Sequence, residues 1–319
     1  LERRTVTATS NVAQPTISAA KATTRSSERA LAGGRARTNP VARIMLYAVL
    51  LSLAAFFLAP LALMVITSLR PTEDFRGQSI IGWPGAWSFY AWTKAWGEAC
   101  IGTRCVGLKA YYLNSFLIVV PSALISTSLG AINGFTLSKL KIPGGNLIFI
   151  LIVFGVFIPY QAILIPAAQL LGKLGLLNSI LGLIVVQSVY GIPICTLFFR
   201  NYYASIPDEL VKAAKIDGAG YWAIFFSIIL PLSPPIIAVT LIWQFTAIWN
   251  DFLFGVTFSS GSSQPVIVAL NNLVNTTFGV KEYNVDMAGT IIAALPTLVI
   301  YVLAGKYFVR GLVVGSVKG

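Results

Sequence analysis

Five polar side chains interrupt long apolar stretches of this chain: Gln161, Gln187, Gln244, Asn250 and Asp251. Polar groups among apolar residues are costly in lipid, so they face protein or a wet path. Neutral amides donate and accept hydrogen bonds without holding a charge, which suits hydroxyl-rich solutes. For each of the five the other reading is a hydrogen bond between helices, and Asp251 also reads as a hydrated residue near an interface. The chain has no histidine, which removes the commonest general base and metal ligand. Its carboxylates are not clustered, and no Gly-x-x-x-x-Gly-Lys-Ser/Thr run is present to cradle phosphate. We therefore expect no catalytic residue, no metal site and no cofactor on this chain. Cys100 and Cys105 stand with four residues between them. An oxidising compartment would let them pair, at a gain of roughly 2 kcal/mol; two free thiols in a cytosol-facing loop is the alternative. Cys195 reads as a small buried hydrophobe.

The elements that must position these groups are membrane helices. Hydrophobic residues make up 56% of the chain and charged residues 11%, where a soluble domain carries about 25% charged. A helical crossing needs roughly 20 mostly apolar residues. Six such runs occur, over residues 43–69, 112–137, 147–170, 179–199, 229–256 and 286–308. Irregular backbone cannot face lipid, so the expected class is all-α, a polytopic bundle of six transmembrane helices. The net charge of +12 follows from topology rather than from nucleic-acid binding. Sixteen of the 23 lysines and arginines fall in segments that are inside if both termini are inside, including Lys139, Lys141, Arg200, Lys212 and Lys215. That excess predicts an N-in, C-in orientation.

Residues 1–40 are rich in Thr, Ser, Ala and Arg, which predicts a disordered basic tail ahead of a six-helix transmembrane domain over 41–319. The first run reads as an uncleaved anchor. An outer loop follows over 70–111, where Trp83, Trp87, Trp92 and Trp96 suit a membrane interface or, alternatively, stacking on a sugar. Gly130 with Gly134, and Gly311 with Gly315, form small-xxx-small pairs that allow close helix approach. Pro121, Pro159, Pro166, Pro193 and Pro296 fall inside spans and are expected to kink them.

The loop over 200–222 carries the strongest local signals. Ser205 with Asp208 reads as a capping box, Pro207 suits a first helical turn, and Gly218 ends a helix. Between them lies a helix of about ten residues with Leu210, Ala213 and Ala214 on one face. So short a helix is marginal by itself and needs a partner surface.

This stretch resembles the cytoplasmic loop of binding-protein-dependent ABC importer permeases. Ala213, Ala214, Asp217, Gly218 and Ala219 match its Glu-Ala-Ala-x-x-x-Gly pattern, as do Leu230 and Pro231 further on. Lys212 stands where the family has its leading Glu, and Glu209 on the same face is the candidate replacement. The resemblance implies a type I importer permease fold in a bacterial inner membrane, with a cytoplasmic coupling helix over 205–219. It also implies a second permease subunit, two ATP-binding subunits that hold ATP and Mg, and an external solute-binding protein. Ile158 to Pro166, Trp243-Gln244-Phe245 and Ile248 to Phe254 look like the carbohydrate branch, including its glucose or mannose members. A polyamine or phosphate permease remains as the alternative. A proton- or sodium-coupled carrier fits less well, since no internal repeat and no mid-span carboxylate is seen.

Overall fold

The computed structural model describes residues 40–75, 82–275 and 281–316, with side chains as far as Ala304. The basic tail lies outside these residues, apart from Pro40. Two units are present, divided at Pro60. Helix α1, Pro40–Ser68, contributes its first part to one unit, and everything from Leu61 onward belongs to the other.

In the larger unit two long helices form the spine, α3 (Lys109–Lys139) and α6 (Ile180–Ala204). Along α3 the buried positions recur every third or fourth residue, from Tyr111 through Asn114, Ser115, Ile118, Ser122, Ser126, Gly130 and Gly134. That spacing is one face of an α-helix. Small residues occupy its centre, and the backbones close in. Ser122 Oγ donates to Ile184 O at 3.3 Å. A Cβ on Gly130 would collide with Cys195, and one on Gly134 would sit 2.6 Å from Phe199 Cβ and 2.8 Å from Arg200 N. The facing positions rise together along both helices, so α3 and α6 run parallel. Without a hydrophobic force between helices in lipid, such close van der Waals fit is the main source of association.

Helix α9 (Pro234–Trp249) lies across this pair, and α12 (Tyr283–Ser316) packs on α9. Trp249 Nε1 donates to Ala293 O at 2.9 Å and Tyr112 OH to Ile292 O at 2.6 Å. Both bonds satisfy an aromatic's polar end inside the bundle. At the end where α3 begins, α2 (Tyr90–Gly97) and a hairpin of β1 (Cys100–Ile101) and β2 (Arg104–Cys105) are fastened to the start of α12. Lys94 pairs with Glu282 at 2.5 Å, and Asn284 donates to Arg70 O at 2.9 Å. Cys100 and Cys105 face each other across the hairpin and are joined by a disulfide.

Two of the expected spans are not straight helices. The run over 147–170 divides into α4 (Gly145–Phe157) and α5 (Tyr160–Lys173), bent by 96°. Pro159 explains the position: it disfavours helical geometry in the residue before it, and Ile158 is extended with ψ 121°. The run over 229–256 begins earlier, as α8 (Tyr221–Ile224) continued by a π-turn (Phe225–Ile229) and a 3-10 turn (Leu230–Leu232). It bends by 79° into α9, which ends at Trp249 rather than at 256; a short α10 (Leu253–Phe258) and then α11 (Val266–Val274) follow. Pro234 and Pro235 start α9 because they have no N–H to offer a preceding turn. By contrast α3, α5, α6 and α12 run on as single helices through Pro121, Pro166, Pro193 and Pro296. Those prolines do not break their spans.

The molecule is thus an all-α, membrane-spanning bundle. Among the described residues four helices are long and apolar enough to cross a membrane, or up to six crossings occur if each bent pair is one. The glycine pair Gly311 and Gly315 lies on α12 beyond the last described side chain.

Gly134→Ala is expected to cost about 1–3 kcal/mol through overpacking of the α3–α6 seam. A larger replacement, Gly134→Leu, is expected to prevent stable folding. Thermal unfolding of the detergent-solubilised protein checks this: Gly134→Ala must melt below the parent, whereas Gly172→Ala, on α5 with ordinary helical backbone and nothing within 4 Å, serves as the glycine control outside the seam.

Candidate functional site

Two features stand out, one at the end of the bundle and one within it. The first is α7 (Asp208–Ile216), the short helix between α6 and α8. Its start differs from the sequence expectation. Ser205 does not cap it; Ser205 Oγ donates to Tyr202 O at 2.7 Å and so closes the end of α6. Pro207 occupies the cap position without a side-chain bond. Asp208 instead reaches Lys139, the last residue of α3, at 2.6 Å, and the same ammonium donates to Ile206 O at 2.5 Å. Lys139 is only 2% exposed while Asp208 is 63% exposed, so the lysine is the enclosed half of the pair.

Val211 and Ala214 turn inward to a cluster with Phe135, Phe199, Tyr203 and Phe225. Leu210, Ala213 and Ile216 face out, with Ile216 86% exposed. The expected face of Leu210, Ala213 and Ala214 is therefore split: Ala214 belongs to the base of the helix, and Ile216 takes its place outside. Glu209, Lys212 and Asp217 are exposed as well. Gly218 ends the helix with φ +82°, a left-handed conformation open to glycine, and Ala219 is half-buried against the inward cluster.

Beyond α7 the chain is tied back to both spine helices. Tyr221 OH and Thr136 Oγ1 are 2.7 Å apart, Tyr203 OH and Ser233 Oγ are 2.9 Å apart, and Tyr202 OH donates to Leu232 O at 2.8 Å. The non-α turns over 225–232 thus have fixed neighbours at each end.

The second feature is a cavity of about 280 Å³ between the α4–α5 bend, α6 and α9. Val156 and Tyr160 come from the bend; Gln187, Tyr190, Gly191 and Ile194 from α6; Trp243, Gln244, Ala247 and Ile248 from α9; Asp251 and Phe254 close it. Tyr160, Tyr190 and Phe254 stand edge to face with centroids 5.3–6.1 Å apart. Gln187 Nε2 donates to Asp251 Oδ2 at 2.8 Å, and the same oxygen accepts from Phe254 N at 3.1 Å. Gln244 Nε2 meets Ser126 Oγ, Gly191 O and Cys195 Sγ at 2.8–3.0 Å, joining α9 to both spine helices. Interhelical bonding and cavity lining, treated as alternatives in the sequence, are combined in these residues.

Two of the five polar candidates do not share the cavity. Gln161 is exposed on α5. Asn250 is exposed, with its amide on Thr246 O and Thr297 Oγ1. The aromatic wall was not singled out from the sequence, because its rings come from three separate elements: Tyr160 from α5 just after the bend at Pro159, Tyr190 from α6 and Phe254 from α10.

Comparisons with known proteins bear on the family and the fold. Residues 115–310 match the model of the family described as binding-protein-dependent transport system inner membrane component. A probable ABC transporter permease from Pyrococcus horikoshii is 52% identical over 189 residues, covering 58% of this chain and 68% of the relative. A xylose/arabinose import permease from Haloferax volcanii is 31% identical over 291 residues, 85% of this chain and 92% of the relative. An osmoprotective compounds uptake permease from Synechocystis is 31% identical over 288 residues, 86% and 92% respectively. The fold is shared with a bacterial ABC transporter involved in import of the acidic polysaccharide alginate, at TM-score 0.71 and 19% identity, covering 86% of this chain and 98% of that one.

The Lys139 contact has a pH signature. The hydrogen bond from Lys139, and then its charge, hold the Asp208 carboxyl below its ordinary value. Its contribution is therefore complete above the ordinary carboxylate value of about 3.9 and is lost as pH falls through the lowered one. Hydrogen exchange of the 208–216 amides, corrected for intrinsic rate, is expected to stay constant from pH 7 to 5 and to rise only in the acid range. Asp208→Asn is expected to raise it already at pH 7.

Proposed function

The chain belongs to the binding-protein-dependent transport system inner membrane component family, and from that membership we propose that it is the permease subunit of an ATP-driven importer whose solute is a carbohydrate. The sugar reading is supported by the named substrates of relatives such as the xylose/arabinose permease. It is supported as well by a cavity in which aromatic edges stand beside amides and one carboxylate, the combination that grips a ring with apolar faces and a hydroxylated rim. No phosphate-cradling loop exists in the sequence. Hydrolysis of ATP with Mg belongs to two separate ATP-binding subunits, and a second permease and an external binding protein complete the assembly. We read the two bent pairs as one crossing each, giving six spans with both termini and α7 in the cytoplasm.

The observation that carries the coupling role is the uncovered apolar face of α7. Leu210 and Ile216 stand exposed on a helix whose opposite face is anchored in the bundle. Apolar surface presented on so firm a base fits a cleft on the ATPase. Closure of two ATPases would push α7, and Lys139, Tyr221 and Tyr203 would pass the displacement to α3, α6 and the turn before α9. The cavity lies between α6, α9 and the Pro159 bend, so relative movement of these helices changes access to it. Glu209 offers the carboxylate that Lys212 withholds.

The test is a reconstituted importer in proteoliposomes, with ATPase activity and solute uptake read together. Ile216→Asp is expected to lower both by about tenfold or more while leaving the permease folded. Glu209→Lys is expected to weaken binding-protein stimulation of the ATPase severalfold. Unchanged uptake in Ile216→Asp would rule out α7 as the contact.

A further inference from the structure

Among the described residues the cavity is lined by one carboxylate and by no lysine or arginine. Most of its amide hydrogens are also committed. Gln244 Nε2 spends its two hydrogens on three protein acceptors, and Gln187 Nε2 gives one of its two to Asp251. Among the described residues the Oε1 atoms of Gln187 and Gln244 accept no hydrogen bond, and neither is a sealed-off atom. The orientations are fixed by the partners: reversing the Gln187 amide would set its oxygen against the Asp251 carboxylate. What the walls leave for a solute is therefore more acceptor than donor: two amide oxygens and a carboxylate, against one Gln187 hydrogen and the Trp243 indole N–H, with the tyrosine hydroxyls able to play either part.

Resting on the carbohydrate reading above, we infer that this cavity selects by charge: it takes uncharged, hydroxyl-rich sugars and rejects those bearing a carboxylate, with Asp251 as the discriminating residue. A sugar hydroxyl brings the hydrogen that the amide oxygens lack. A uronate's carboxylate brings only acceptors and a second negative charge into a half-apolar space that holds no cation, where like charges repel far more than in water. The fold is shared with an importer of an acidic polysaccharide. On this inference the solute class is set by the wall residues at Asp251 and Gln187 rather than by the fold.

The experiment uses the assembled importer without its binding protein, so that delivery does not mask the permease's own preference. Equilibrium binding of radiolabelled glucose, galactose and mannose is compared with that of glucuronate, galacturonate and mannuronate, each pair differing at C6. In every pair with measurable binding the neutral member is expected to bind at least about tenfold more tightly. In Asp251→Asn, which keeps an acceptor for Gln187 and Phe254, that ratio is expected to fall at least about fivefold, whatever happens to the neutral affinity. Gln187→Lys, which sets a cation beside Asp251, is expected to lower the ratio as well and stands in should Asp251→Asn fail to assemble. Equal binding of both members by the parent, or an undiminished ratio in both variants, overturns the charge filter alone. Binding of neither member in any pair overturns the carbohydrate reading together with it.

Discussion

The near-contact of two parallel backbones, α3 and α6, is the constraint on which the rest of this bundle depends. In water, apolar side chains would drive two such helices together. In lipid that force is absent, and association rests on how closely surfaces fit. Ser122, Ser126, Gly130 and Gly134 form a four-residue repeat of small side chains on α3, set against Ile184, Gly191, Cys195 and Phe199 on α6. The same seam admits one large polar group. Gln244 enters from α9 where Gly191 leaves room, and its amide spans both helices. Such bonds contribute only on the order of 0.6 kcal/mol each in membranes. Their greater effect is to fix which part of α9 meets the spine.

From that fixed pair two ends acquire different characters. Where α3 starts, ion pairs and a cross-linked hairpin bind short pieces of chain together around Lys94, Glu282 and Asn284. At the other end, roughly 46 Å away by helical rise, α7 is fastened through one enclosed lysine and a small aromatic cluster. The turns between α7 and α9 depart from α geometry over 225–232. Non-α turns of this kind concentrate at functional sites. Here they are braced by Tyr202 and Tyr203 from α6, so a displacement of α7 is not lost in a loose loop.

The apolar runs were legible because the bilayer imposes length and composition on any crossing helix. Gly130 and Gly134 were legible as a contact for the same reason that they work: small side chains let backbones meet. The breaks were less so. Five prolines looked alike in sequence, yet only Pro159 interrupts a helix, since neighbours in the bundle can re-satisfy the carbonyls that the others free. Ser205 beside Pro207 carried the signature of a helix start, but its hydroxyl found a nearer carbonyl at the end of α6. Local capping preferences are worth about 1 kcal/mol, too little to prevail where the preceding helix is itself unfinished. Val211 was not distinguished from Leu210, because on a nine-residue helix either can face inward until the cluster around Phe199 decides. The cavity was visible only as scattered amides. Gln187, Gln244 and Asp251 converge because α9 ends at Trp249 and the chain turns back at Asp251, a change of direction that no periodic pattern records.

The division between scaffold and specificity then follows from where each kind of residue sits. The seam of small residues offers almost no freedom: any added atom meets backbone. The cavity walls are different, since Tyr160, Gln187, Tyr190, Trp243 and Asp251 each border open space on one side. What cannot be exchanged freely is Gln244, which belongs to both sets. It closes the joint of α3, α6 and α9 with its amide hydrogens and lines the cavity as well, so a change there disturbs scaffold and cavity together.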